Sequence, residues 1–328
     1  MLDSILESLR VIALPTKTDF RAVTSREVAL FEGPAGWGEF SPFIEYGAKE
    51  CVPWLVSAVE AALMTPPNPL RSSIPINATL PAINGHEEIQ EVLSWYPGAS
   101  AVKIKVGKNL LEDLARIEIV RELLPDADIR IDVNGSWSVA VALQGLNQIY
   151  ASGPIQYVEQ PCATLAELRS LKSQLKIPVL ITGDEVIRKA ANPFELNLFG
   201  AVDIVALKVA PLGGIKRALE LAEHFALPTV VSSALDSAVG ISRGLKLAAV
   251  LPQLDFACGL GTSALLSADV ALLPILNGEI AVNSVTPDAR ALEHYAVSSE
   301  KLDWWRARVR DTWAAGAQEW VTREGWVW

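Results

Sequence analysis

The chain has 328 residues, half of them hydrophobic, and carries 38 acidic against 28 basic side chains for a formal charge of −10. That length suits one large domain or two modest ones, and that much apolar material excludes a disordered chain. The acidic balance argues against nucleic acid and anionic membrane as partners, since both need a cationic surface, but leaves room for a small anionic ligand in a locally positive pocket.

At the N-terminus, Met1-Leu2-Asp3-Ser4 carries an early acid and no basic stretch, so no signal peptide is expected. Two extended runs follow, Arg26-Glu27-Val28-Ala29-Leu30-Phe31-Glu32 and Gly36-Trp37-Gly38-Glu39-Phe40. Gly33-Pro34-Ala35-Gly36 between them reads as a hairpin turn. A helix is predicted from Ala48 to Met64, stopped by Pro66-Pro67. The middle of the chain then takes up a rhythm of short β-branched runs and helical patterns. The predicted strands are Ile74–Leu80, Ala101–Val106, Ile129–Val133, Ile155–Glu159, Val179–Thr182, Val202–Val209, Thr229–Ser233 and Phe256–Leu260. Between them lie apolar residues at helical spacing, such as Leu111-Leu114-Ile117-Leu124 and Ile215-Leu219-Ala222-Phe225. Strand starts fall 23 to 28 residues apart, the length of a βα unit. Near-continuous apolar strands point to a parallel sheet buried on both faces.

Eight such units predict a closed (β/α)₈ (TIM-like) barrel over residues 73–284. No GxGxxG follows the first strand, which disfavours a doubly wound sheet. Gly213-Gly214 reads as a turn into a helix rather than a phosphate loop. The tail from Pro287 is rich in tryptophan (Trp304, Trp305, Trp313, Trp320, Trp326, Trp328) and reads as packing. Residues 1–72 and 285–328 together are predicted to form an α+β capping domain. No run of 18 apolar residues occurs, so no membrane span is expected. Cys51, Cys162 and Cys258 lack CxxC spacing and read as reduced core residues of a cytoplasmic protein. With three scattered histidines and no HExxH, any metal should be held by oxygen.

Charged residues end five successive predicted strands: Lys103-Ile104-Lys105, Asp132-Val133-Asn134, Glu159-Gln160-Pro161, Gly183-Asp184-Glu185, and Lys208. Such residues are rarely buried unless paired or metal-bound. Strand carboxyl ends face the active site of a barrel of this kind. Asp132, Glu159 and Asp184 would converge there as an oxygen donor set suited to Mg²⁺. Helix capping is the plainer role for any one of them. Alternation puts Lys103 with Lys105, and Arg130 with Asp132, on the same faces. Lys105 and Lys208 would flank the acids; a salt bridge to Glu159 or Asp184 is the plainer alternative role for Lys105 and does not exclude a functional one.

The ordered set Lys103-x-Lys105, Asp132-x-Asn134, Glu159-Gln160-Pro161, Asp184-Glu185 and Lys208, with spacings of 27, 27, 25 and 24 residues from Lys105 to Lys208, resembles the enolase superfamily, muconate-lactonising subgroup. Gly33 to Phe43, Arg130-Ile131-Asp132, Val231-Ser232-Ser233-Ala234 and Cys258-Gly259-Leu260-Gly261-Thr262 are most similar to its o-succinylbenzoate synthase family, of menaquinone biosynthesis. The resemblance implies Asp132, Glu159 and Asp184 as ligands of Mg²⁺, with Mn²⁺ as a substitute. It implies Lys105 as general base and acid and Lys208 as the opposing lysine. Lys103, Arg130, Asn134, Ser232 and Gly259 fall at expected substrate contacts. The implied reaction dehydrates 2-succinyl-6-hydroxy-2,4-cyclohexadiene-1-carboxylate to 2-succinylbenzoate by α-proton abstraction through an enediolate.

N-acylamino acid racemases and dipeptide epimerases share the lysines and the ligand set, so that activity, alone or alongside the synthase, remains an alternative. Phe20, Phe43 and Tyr46 of the cap are candidates for contacting an aromatic product, against ordinary packing. A Schiff-base aldolase using Lys105 or Lys208 and a non-catalytic barrel are the rivals from other classes. The complete set of strand-end charges disfavours the second.

Overall fold

The computed structural model describes residues 1–20 and 23–328, and Phe20 in its backbone alone, so the expectation for the Phe20 side chain falls outside the described residues. Three antiparallel strands, β1 (Arg10–Phe20), β2 (Val23–Gly33) and β3 (Gly36–Phe40), form the first sheet. The register closes Gly33 on Gly36, so the turn is the predicted Pro34-Ala35. Helix α1 (Ala48–Leu63) packs on this sheet and ends just before the two prolines. One apolar cluster joins Phe31, Phe40 and Trp54 from this region to Trp305, Val309 and Trp313 from the far end of the chain. Most of the tail tryptophans are therefore packing residues, although Trp304 is exposed.

The central sheet has seven parallel strands: β4 (Ala78–Leu80), β5 (Ala101–Lys105), β6 (Asp128–Asp132), β7 (Tyr157–Glu159), β8 (Leu180–Gly183), β9 (Ile204–Leu207) and β10 (Thr229–Val231). They pair in chain order, each βα step adding the next neighbour. A large apolar cluster lies between strands and outer helices, and a small inner one joins Tyr157, Ile204, Ala206 and Val230, with Phe256 against it. Among the described residues no helix is long and apolar enough to cross a membrane, and all three cysteines are free and buried.

Two predicted strands come out differently. Ile74–Leu80 is divided: Ser73–Pro75 pairs antiparallel with Glu279–Ala281, and only Ala78–Leu80 joins the parallel sheet. Phe256–Leu260 forms no ladder strand. It makes one isolated parallel bridge on each side, Cys258 with Ile76 and Gly259 with Ser232, which link the two edges of the seven-stranded sheet. The segment is too short and irregular for a run of ladder bonds, although its apolar pattern matches a strand.

Two carboxylates of the N-terminal region dock into the N-termini of sheet-flanking helices. Glu60 on α1 accepts the amides of Ile215 (2.7 Å) and Lys216 (2.9 Å) at the start of α2 (Ile215–Phe225), and Arg243 donates to it at 3.2 Å. A side chain on Gly214 would collide with that carboxylate, so the glycine is required there, and the turn holds a glutamate in place of a phosphate. Glu39 on β3 accepts from Ser237 Oγ (2.6 Å) and the amides of Ser237 and Gly240, at the start of α3 (Ala238–Val250). A helix N-terminus favours an anion by up to about 2 kcal/mol in partly buried geometry. Arg26 on β2 is buried and donates to the carbonyls of Leu235, Ala234 and Ser41. Leu235 holds a left-handed backbone (φ 60°) that a leucine rarely adopts.

Asp236 sits inside this seam with one carboxylate oxygen lacking a hydrogen bond. Burial and the adjacent Glu39 raise its carboxyl to about 7, against the pull of Arg26. Between the ordinary 3.8 and about 7 the folded chain keeps a proton that the unfolded chain releases, so this contribution to stability weakens as pH rises through that window. Asp236→Asn should therefore raise the Tm more at pH 8 than at pH 5. Thermal melts at the two pH values check it, and a gain that is equal or larger at pH 5 would contradict the assignment.

Candidate active site

The parallel register sets Lys105, Asp132, Glu159 and Thr182 side by side across β5 to β8, at the carboxyl ends of the strands. Residues in register point to the same face, so four polar side chains share one row inside the sheet. The row opens into a narrow cleft also lined by Phe43, Tyr46 and Trp54. Those three rings pack edge to face, 5.7 to 6.5 Å apart. Arg308, from the C-terminal helix Ser299–Thr312, pins their loop by donating to the carbonyls of Phe43, Ile44 and Tyr46.

Each acid is engaged by a lysine. Lys103 Nζ lies 3.0 and 3.1 Å from the two oxygens of Glu159, Lys105 Nζ is 2.5 Å from Asp132, and Lys208 Nζ is 2.5 Å from Asp184. Lys105 thus pairs with its register neighbour rather than with Glu159 or Asp184. Burial opposes the charge of Lys103, but Glu159 and Asp132 outweigh it and hold the amine above its ordinary value. Lys105 goes the other way: burial lowers it, helped by Lys103 and resisted by Asp132. Burial would raise Asp132 and Asp184, yet the lysines beside them hold both carboxyls below the usual range, with Arg188 contributing at Asp184. Glu159 is pushed up to about 7 by burial and by repulsion from Asp132 and Asp184, against Lys103.

Loop backbone fixes these groups. Asn134 (φ 51°) and Gln160 (φ 42°) follow their strand ends in left-handed conformation. The Asn134 amide donates to Asp132, its side-chain oxygen accepts from Lys105, and its side-chain nitrogen donates to Glu185. The Gln160 oxygen accepts the amides of Asp184 (3.0 Å) and Val186 (3.2 Å), which sets the turn that presents Asp184.

Seven of the ten candidates line the cleft: Lys103, Lys105, Asp132, Asn134, Lys208, Ser232 and Gly259. Glu159 and Asp184 lie buried directly beneath, held by Lys103 and Lys208. Arg130 is not part of the cleft. Two residues earlier on β6 is a full pleat repeat toward the amino end of the strand. There its guanidinium donates to Gln156, Asn77 and the Ala257 carbonyl, over the rings of Tyr157 and Phe256. Arg130 fills the interior of the sheet, where it does not line the cleft as Lys103, Lys105 and Asp132 do.

Phe43 and Tyr46 do reach the cleft, joined by Ser233 and Thr262 from the motifs at 231–234 and 258–262 and by Trp54 and Thr79, which the sequence did not single out. Arg188 was also missed. It lies one helical turn after Asp184, its Nε 3.2 Å from Asp184 Oδ1 and its Nη2 3.0 Å from Glu185, and it meets the Tyr46 hydroxyl. The i to i+4 spacing from Asp184 was the available signal. Among the described residues no three acid, histidine or cysteine groups converge in cation-ligand geometry, because each carboxylate is turned to its lysine. The donor types nevertheless suit a hard divalent cation: three carboxylates from adjacent strand ends, with Asp184 Oδ1 buried and accepting no hydrogen bond.

Gln160→Ala should leave one buried and one part-buried amide without acceptors and lower stability by about 1–3 kcal/mol. Chemical denaturation reads the change, and a variant as stable as the parent would remove Gln160 from its positioning role.

The enolase N-terminal domain-like family matches residues 11–62, and the enolase C-terminal domain-like family matches residues 87–287. An o-succinylbenzoate synthase of Mycobacterium tuberculosis (strain ATCC 25618 / H37Rv) is 48% identical over 314 residues, covering 94% of each chain. One from Mycolicibacterium smegmatis is 48% identical over 313 residues, covering 94% of this chain and 96% of its own. The muconate lactonizing enzyme of Pseudomonas putida shares the fold at a TM-score of 0.71 and 20% identity, over 88% of this chain and 98% of its own.

Proposed function

The chain belongs to the o-succinylbenzoate synthase family of the enolase superfamily, and on that premise we propose that it dehydrates 2-succinyl-6-hydroxy-2,4-cyclohexadiene-1-carboxylate to 2-succinylbenzoate, acting as a cytoplasmic enzyme on a small anionic substrate. The observation that carries the reading at the site is the placement of two lysines, Lys105 on Asp132 and Lys208 on Asp184, at different strand ends of one acidic row. The bridges through Cys258 and Gly259 support a barrel of eight positions, with residues 1–72 and 285–328 as its cap.

Asp132, Glu159 and Asp184 would hold Mg²⁺, for which Mn²⁺ could substitute. When bound, such a cation supplies Lewis-acid stabilisation of the negative charge that develops on a substrate carboxylate as its α-proton leaves. Lys105 takes that proton. Its lowered pKa favours the neutral amine that a base requires. Once protonated it is placed to return the proton to the departing hydroxyl. Lys208, from a strand four positions further along the sheet, stabilises developing charge electrostatically. Lys103 keeps Glu159 neutralised and in place. Asn134 orients Lys105, and Ser232 and Gly259 line the floor where substrate lies. The rings of Phe43, Tyr46 and Trp54 exclude water above it.

A second reading, N-acylamino acid racemase, draws on the same two lysines serving as alternating acid and base. Proton exchange in D₂O separates the two. In a one-base synthase Lys105→Ala should remove all α-proton exchange. In a two-base racemase each single lysine variant should keep exchange with one enantiomer of an N-acylamino acid. Wild-type racemisation of N-succinyl amino acids as fast as dehydration would replace the single-function reading.

Glu159→Gln should abolish turnover with the fold retained, and EDTA should do the same until Mg²⁺ is restored. Full activity in either condition would dismiss the cation assignment. Because the base must be neutral, kcat/KM should rise with pH through an apparent pKa below lysine's ordinary 10.5. A pH–rate profile that instead falls across that limb would exclude Lys105 as the base.

A further inference from the structure

The substrate in the reading above has two carboxylates, and only one of them is at the reacting carbon. The other ends the succinyl arm. Once enclosed, it needs a cation, because an unpaired buried carboxylate is strongly disfavoured. The groups in and under the cleft comprise four carboxylates (Asp132, Glu159, Asp184, Glu185) and four cations (Lys103, Lys105, Lys208, Arg188). In their charged forms these cancel. With Lys105 neutral, as its role as base requires, a divalent cation held by the acids leaves one net positive charge, so the second carboxylate depends on a local partner and not on the overall charge of the site.

The three lysines are directed at the acids of the row. Arg188 also approaches one of them, its Nε 3.2 Å from Asp184 Oδ1, but its guanidinium reaches beyond the row to Glu185 and the Tyr46 hydroxyl. It lines the cleft from the turn after β8, with its side chain 7% exposed, and meets the cap wall at the Tyr46 hydroxyl. Its Nε is buried with no hydrogen bond of good geometry. A guanidinium has five donors in a planar fork that matches a carboxylate, so it can keep Glu185 through one nitrogen and still offer others. Resting on the functional reading above, we propose that Arg188 binds the terminal carboxylate of the substrate's succinyl arm, with Tyr46 beside it, and thereby sets the preference for dicarboxylate ligands over those with a neutral acyl arm.

The test is calorimetric titration of the full chain in saturating Mg²⁺ with two ligands: 2-succinylbenzoate, and 2-butanoylbenzoate, which has an arm of the same length but a methyl end. The wild type should prefer the first by about 10- to 100-fold, the range of a charge-assisted hydrogen-bonded pair. Arg188→Gln should erase that preference and leave affinity for 2-butanoylbenzoate within about threefold, a result that also shows the site is folded. A Gln variant that still discriminates overturns the proposal. So does parallel loss of both ligands at an unchanged Tm, since a residue acting only through Asp184 and Glu185 would behave that way. If the Gln variant does not fold, Arg188→Lys decides by the same comparison. Discrimination reduced severalfold supports the fork, and unchanged discrimination overturns it. A wild type that binds neither compound overturns the functional reading and this proposal together, whereas retained discrimination in the variants overturns the proposal alone.

Discussion

Everything at this site depends on charge neutralisation inside the sheet. Asp132, Glu159 and Asp184 are almost wholly buried, and each would be strongly disfavoured without a counterion. The lysines that supply it come from the same sheet: Lys105 from the position in register with Asp132, Lys103 from one pleat below, and Lys208 from just beyond the end of β9. Parallel register is thus an electrostatic requirement as well as a hydrogen-bonding one. A slip of one residue on β6 would turn Asp132 into the apolar outer layer and leave Lys105 without its partner.

The same pairing lets the strand ends be roofed. With the row near neutral overall, aromatic side chains can close over it. The roof is in turn set by cations belonging to neither the parallel sheet nor the row. Arg308 reaches from the C-terminal helix to three successive parts of the Phe43–Tyr46 loop, and Arg26 stacks on the Phe43 ring at 4.5 Å while gripping the Leu235 carbonyl. Both ends of the chain therefore shape a cleft whose floor is made by its middle.

Much of this was legible in the sequence because it is periodic. Apolar strands recurring every 23 to 28 residues, and a charge at the end of five in succession, suffice to place Lys105, Asp132, Glu159, Asp184 and Lys208 at one end of one sheet. Alternation reports which face a residue takes but not its depth, so it puts Arg130 on the face of Asp132 without showing that it lies one repeat below the cleft. Hydrophobicity cannot show whether a short apolar run finds ladder partners, so the run at Phe256–Leu260 looked like a strand and makes only single bridges. Ile74–Leu80 looked continuous because the change of partner from antiparallel to parallel leaves no mark in composition. The partners of Glu39 and Glu60 are tertiary, and nothing local to those residues announces them.

The docked glutamates have a consequence for how such a protein can be rebuilt. Glu60 at the start of α2, Glu39 at the start of α3, and Arg26 on the Ala234 and Leu235 carbonyls are three separated anchor points. Three points fix a rigid body in position and orientation, as a kinematic mount fixes an optic. A cap borrowed from a relative will register its aromatic wall over the strand ends only if it brings matching anchors, and if glycine is kept at 214 and 240 to admit the carboxylates. Grafting wall residues without the mount changes what the wall is made of and leaves its alignment to chance.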